Sequence, residues 1–100
     1  MKAFVLAIDI GTSGTKALLF DRQGQAHASA YRAYPTQFVG DGAEQDPDEI
    51  LAAVRDCLQQ LLTPSSINQV AAVGFSAAMH SLLGTDHLGR PRTPLYTWGD

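Results

Sequence analysis

The sequence predicts an α/β domain on a mixed sheet, with elements in the order β-β-β-α-β and a partial continuation. Three observations predict it. The chain opens on an almost unbroken apolar run, residues 3–8 (AFVLAI), as expected of a central strand covered on both faces. Two more strand-like runs follow across short turns, which implies an antiparallel meander. A stretch of helical periodicity then separates the meander from another short apolar run at residues 70–75 (VAAVGF).

Residues 11–14 (GTSG) end the first strand with small turn-forming residues, and residues 15–21 (TKALLFD) resume as the second. Residues 21–24 (DRQG) make the next turn. Residues 25–34 (QAHASAYRAY) alternate polar with small apolar side chains, the pattern of a third strand with one exposed face. Residues 35–45 are polar and contain glycine, and are expected to be a loop.

The helix carries clear start signals. Asp46 can cap it, Pro47 sits where a missing N–H costs nothing, and Glu49 completes an Asp-x-x-Glu variant of the capping box. Ile50, Leu51, Val54, Cys57, Leu58, Leu61 and Leu62 recur as one apolar stripe, and residues 63–66 (TPSS) stop it. The strand at 70–75 is parallel to the first if the helix crosses over the sheet. Residues 76–79 are expected as a loop, 80–85 as a short strand, 89–94 as a turn-rich connection, and 95–98 as the start of another extended piece.

Composition narrows the function classes. Hydrophobic residues make up 45% and charged residues 17%, a globular balance. With 7 Lys and Arg against 10 Asp and Glu, the net charge is −3; there is no basic stripe, so no nucleic-acid partner is expected. Cys57 is the single cysteine, which excludes an intramolecular disulfide and fits a reducing compartment. The first apolar run is too short to span a membrane and lacks a signal-peptide cleavage site, so a cytoplasmic protein without a membrane partner is expected.

The strongest chemical signal is residues 8–16, IDIGTSGTK. A carboxylate at a buried strand's tip is costly unless a cation or hydrogen-bond donors meet it. The glycines that follow let backbone approach a ligand, the hydroxyls donate hydrogen bonds, and successive N–H groups in a tight turn can cup an anion. Lys16 adds a mobile positive charge for phosphate oxygens, and Asp9 fits beside phosphate if Mg²⁺ lies between them. The plainer reading is a Gly-rich hairpin whose Asp9 caps a turn. A Walker A loop is excluded by spacing and by the strand that follows.

Three weaker constellations lie downstream. Met79-His80, after the fourth strand, sits where open α/β sheets bind ligands, although such a pair is also ordinary packing. Trp98-Gly99-Asp100 suits a sugar, with an aromatic face for C–H groups and a carboxylate for hydroxyls, or is core cover. Residues 43–47 (AEQDP) are best explained by helix capping. Cys57 reads as core, and His27 and His87 as surface residues.

The opening IDIGTSGTKALLFD resembles the first phosphate motif of the actin-like, RNase H-like ATPase superfamily, and within it the FGGY carbohydrate kinases. SAAMHSLL and GRPRTPLYTWGD are most similar to the gluconokinases of that family, and the likeness extends over essentially the whole chain. The resemblance implies an RNase H-like fold whose N-terminal portion is residues 1–100, incomplete by itself. It implies ATP and Mg²⁺ as cofactors, with Asp9 organising the metal and Gly11, Thr12, Ser13 and Lys16 at the phosphates. Gly14, where many members carry a hydroxyl, is left to backbone contact. Met79, His80, Trp98 and Asp100 are implied as sugar contacts, and residues 43–47 as an acidic loop near the sugar site.

The implied reaction is phosphoryl transfer from ATP to gluconate or a related sugar, with xylulose or another pentulose as the alternative. The catalytic base, second phosphate motif and adenosine site are implied downstream, so these residues alone are expected to bind ATP poorly and not to turn over. A homodimer is possible for the full-length protein. Two other classes stay open: an actin-like ATPase switch without sugar phosphorylation, and a non-catalytic sugar-binding module.

Overall fold

The computed structural model describes residues 2–97. Three strands form the expected meander: β1 (Phe4–Ile10), β2 (Gly14–Phe20) and β3 (Ala26–Ala33), antiparallel in sequence. After them come β4 (Gln37–Val39), β5 (Gly42–Gln45), helix α1 (Pro47–Leu61), a single 3-10 turn (Ile67–Gln69), β6 (Val70–Ala77) and β7 (Leu95–Tyr96). β6 returns beside β1 and parallel to it, which gives a four-stranded mixed sheet of order β3-β2-β1-β6. β-β-β-α-β therefore holds for this sheet.

Side-chain alternation decides which face is core. Leu6 and Ile8 of β1, Ala17 and Leu19 of β2 and Ala30 of β3 point to one side and bury against Cys57 and Leu61 of α1. The helix face that sinks deepest is Ala53, Cys57 and Leu61, spaced four apart; Leu51, assigned to the stripe from sequence, is half exposed. Asp46 caps the helix as expected, but its carboxylate accepts from the Asp48 amide (2.9 Å), and Glu49 makes no return bond among the described residues. An ion pair from Arg32 of β3 to Asp56 of α1 ties the two layers at the rim.

α1 is centred over β2 and β3 and meets β1 only through the Leu6–Ile8 side of the core. On that same face Val73 and Phe75 of β6, in register with Leu6 and Ile8, stay 49% and 68% exposed. β6 is thus an edge strand with an uncovered apolar side.

Two sequence expectations are corrected. Residues 35–45 are not a loop: β4 and β5 form a hairpin about Gly40, whose φ of +61° favours glycine. β5 then pairs with β7, supplied by distant sequence, to make a three-stranded sheet of order β4-β5-β7. Residues 80–85 are not a strand; His80 turns the chain with φ of +60°, and only single bridges, Leu82 to Tyr96 and Thr85 to Pro91, follow. Partners that lie far away in sequence set both outcomes, and local pattern does not encode them.

The same tight turn is built twice. In DRQGQ and DHLGR an Asp carboxylate accepts the amides two and four residues on, and a glycine at φ near +80° closes the turn (Asp21 with Gly24, Asp86 with Gly89). Asp21 also meets His27 Nε2 at 2.7 Å. Its carboxyl is held below the ordinary value of 3.8, first by the Gln25 amide and then by His27. A depressed carboxyl contributes stability above its unfolded value and loses it as pH falls through the folded one. The melting temperature should therefore drop on acidification below about pH 4, and Asp21→Asn should flatten that part of the profile; calorimetry against pH checks it.

Candidate functional site

The carboxyl end of β1 collects the candidate groups. Because Ile8 faces the core, Asp9 faces the opposite side of the sheet, where it is exposed. Its register partners are Lys16 on β2 and Ser76 on β6. Lys16 is exposed on the same face, yet none of the ion pairs among the described residues joins it to Asp9. Both charges are therefore open to a third party.

The β1–β2 turn is closed by the Gly11 amide donating to the Gly14 carbonyl at 2.9 Å. The carbonyls of its residues 11–13 each accept a hydrogen bond from outside the turn. Tyr34 Oη donates to Gly11 O (2.7 Å) and Gln45 Nε2 to Thr12 O (2.6 Å). Ser13 O accepts from the Tyr34 amide (3.2 Å) and from Tyr31 Oη (3.4 Å). The Thr12 and Ser13 amides donate to no protein acceptor among the described residues, and both side chains are exposed. The tip thus presents unspent donors, the composition of an anion cradle.

Gly14 has a steric reason to be glycine. A Cβ there would stand 2.5 Å from Tyr31 Oη and 2.7 Å from the Arg32 carbonyl oxygen. Tyr31 fills the space that a side chain at position 14 would need.

β6 ends beside this turn because it runs parallel to β1, and the Ala78 amide donates to Ile10 O at 2.9 Å. Met79 and His80 follow at once, exposed, at the carboxyl ends of two adjacent parallel strands. His80 adopts the left-handed backbone region that non-glycine residues seldom occupy. Next to it, Ser81 Oγ is buried without a hydrogen-bond partner among the described residues. Trp98 and Asp100 lie outside the described residues; β7, which precedes them, is bridged to Leu82.

Two hollows share Gln45, and the first also borders the turn at Gly11. One, of about 300 Å³, is apolar and runs between Ile10, Ile50, Leu51, Val54 and Ala77. The other, of about 400 Å³, lies at the helix start, with Glu44, Asp46 and Asp48 facing Arg92. Asp9 borders neither and stands on open sheet surface. Among the described residues no three His, Cys, Asp or Glu side chains converge as an all-protein metal cage. A lone exposed carboxylate beside free donors fits Mg²⁺, which takes one or two carboxylates and completes its shell with water and phosphate oxygens.

Residues 4–100 match the pattern of the FGGY family of carbohydrate kinases, N-terminal domain. The chain belongs to that family. Gluconokinase of Bacillus subtilis is 36% identical over 102 residues, covering 100% of this chain and 20% of the relative. Xylulose kinase of Staphylococcus xylosus is 33% identical over 99 residues, covering 98% of the chain and 20% of the relative. The crystal structure of gluconate kinase from Lactobacillus acidophilus superposes with a TM-score of 0.82 at 32% identity, over 100% of this chain and 20% of that one. The chain thus spans about a fifth of the length of these relatives.

The FGGY kinases have the actin-like ATPase fold, so the mixed sheet and its hairpin turn are the N-terminal elements of that architecture, as the sequence implied. Of the residues expected at the site, Gly11, Thr12 and Ser13 form one turn, Asp9 and Lys16 face each other on the strands that it joins, and Met79 and His80 share its end of the sheet. Sequence reasoning missed Tyr34 and Tyr31, and it placed Gln45 only in an acidic loop near the sugar site; all three hold carbonyls of the FGGY turn. No local sequence signal marks this role, because the near-complete burial of Tyr34 and Gln45, at 7% and 4%, appears only in the folded chain.

Gly14→Ser should destabilise the domain by roughly 1–3 kcal/mol through overpacking. A second change, Tyr31→Ala, should restore only part of this, since the Arg32 carbonyl stays in place. Urea denaturation of the single and double variants measures both.

Proposed function

We propose that the full-length protein carrying this chain transfers the γ-phosphoryl group of ATP to a hydroxyl of gluconate, with this chain as the N-terminal portion of its first domain. The observation that carries the reading is the β1–β2 turn: unspent amides at Thr12 and Ser13, exposed hydroxyls, and Asp9 and Lys16 unpaired side by side. Such an arrangement has little use in a passive hairpin. In phosphoryl transfer, catalysis rests on positioning and charge neutralisation, which these groups supply.

In this reading Asp9 would hold Mg²⁺, Thr12 and Ser13 would meet the β- and γ-phosphates with backbone and hydroxyl donors, and Gly11, whose amide closes the turn onto Gly14, would let the backbone approach them closely. Lys16 would balance phosphate charge. Mg-ATP, when bound, supplies the activated phosphoryl group and its counter-charge. Met79 and His80 would contact the sugar from the next loop, and Trp98 and Asp100 would complete that wall. The catalytic base, the adenosine site and the second phosphate motif belong to other parts of the protein, so these 100 residues alone would bind ATP weakly and not turn over. Asp9 stands on open surface, which suits a cleft whose other wall comes from elsewhere. A cytoplasmic location and a homodimer belong to the same reading; among the described residues no helix is long and apolar enough to cross a membrane.

Gluconate is favoured over xylulose by the SAAMHS and TPLYTWGD segments. Sugar-dependent ADP release by the full-length protein, with gluconate and xylulose compared, tests the assignment. Turnover is expected with gluconate; phosphate release indifferent to any sugar would mean a nucleotide switch instead. Asp9→Asn should lower kcat at least about a hundredfold, the range of losing one transition-state charge contact. His80→Ala should raise the sugar KM while leaving the ATP KM near wild type.

A further inference from the structure

We infer that Tyr34 and Gln45 are positioning residues for phosphate binding: they hold the carbonyls of the β1–β2 turn backwards so that its amides face the phosphate side. The inference rests on the phosphate reading of that turn and goes beyond it, because neither residue belongs to the motif. No peptide bond among the described residues is cis, so each carbonyl points opposite to the amide of the next residue. Gly11 O, held by Tyr34 Oη, fixes the Thr12 amide, and Thr12 O, held by Gln45 Nε2, fixes the Ser13 amide. If either tether were lost, the peptide could rotate and offer a carbonyl oxygen, which repels phosphate, in place of an N–H.

Both tethers are anchored themselves. Gln45 Nε2 also donates to Thr36 Oγ1 at 3.1 Å, and its backbone is pinned in β5 between β4 and β7. Tyr34 spends its hydroxyl proton on Gly11 O, so it accepts from Thr15 Oγ1 at 3.2 Å, and Thr15 is fully buried. Cys57 Sγ of α1 in turn donates to Thr15 O at 3.5 Å. The turn is thus braced through two routes, one reaching the helix and one the second sheet. Burial keeps the Tyr34 phenol protonated by raising its pKa above the ordinary 10.0, so the donor persists throughout the physiological range.

The test uses Tyr34→Phe and Gln45→Met in the full-length protein, with calorimetric binding of Mg-ATP, adenosine and gluconate and a thermal melt for each variant. Tyr34→Phe keeps the ring and should fold even if Gln45→Met does not. Each variant should bind ATP roughly three- to tenfold more weakly, the worth of one hydrogen bond, with adenosine affinity unchanged, and Tyr34→Phe should leave gluconate affinity unchanged as well. Equal losses for all three ligands, which a merely structural role would give, overturn the inference. So does a folded Tyr34→Phe protein with wild-type ATP affinity. Wild-type protein that binds adenosine no less tightly than ATP would overturn the phosphate reading itself, and the inference with it.

Discussion

Strand β1 is hydrogen-bonded on both sides, antiparallel to β2 and parallel to β6, and the site depends on that double pairing. The antiparallel side permits a tight turn directly after Asp9. The parallel side brings a second strand end, from more than half the chain away, to the same edge. Neither alone would place a phosphate-type turn next to the Met79–His80 loop. Alternation along β1 then assigns roles: Leu6 and Ile8 hold the helix, and Asp9 is left to face outward. A one-residue slip in either ladder would bury the carboxylate and expose the core.

The division of labour between motif and scaffold follows from backbone chemistry. The motif residues at the turn are small and exposed, and they have no packing of their own to fix their peptide planes. Orientation comes from Tyr34 and Gln45, which are buried and therefore rigid. Gly14 and Tyr31 show the same economy. At position 14 this chain has bare backbone and lets a tyrosine from the neighbouring strand occupy the volume.

Much of this was legible from sequence. The AFVLAI run, the GTSG break and the Asp46-Pro47 helix start located β1, the turn and α1 within a residue or two, because each depends on local conformational preference. The parallel return of β6 followed from the crossover helix. What stayed hidden was set by distance. β5 found its partner in β7, and Gln45 reaches back 33 residues to Thr12, so a local window saw only polar loop. His80 occupies an unusual backbone region that its residue type does not announce, and a strand expected there dissolved into single bridges. The supporting residues of the site escaped notice for the same reason: Tyr34 and Gln45 look like ordinary strand ends until the carbonyls they hold are known.

The bare side of β6 has a practical meaning. Its outer backbone edge is free among the described strands, and Val73 and Phe75 extend the apolar surface next to the Ile10–Val54 hollow. Strand edges of this kind zip onto like edges of neighbouring molecules, and no lysine or proline in VAAVGFSA discourages it. Preparations of these 100 residues in isolation are therefore apt to self-associate through β6, and a lysine introduced at Val73 would be the simplest gatekeeper.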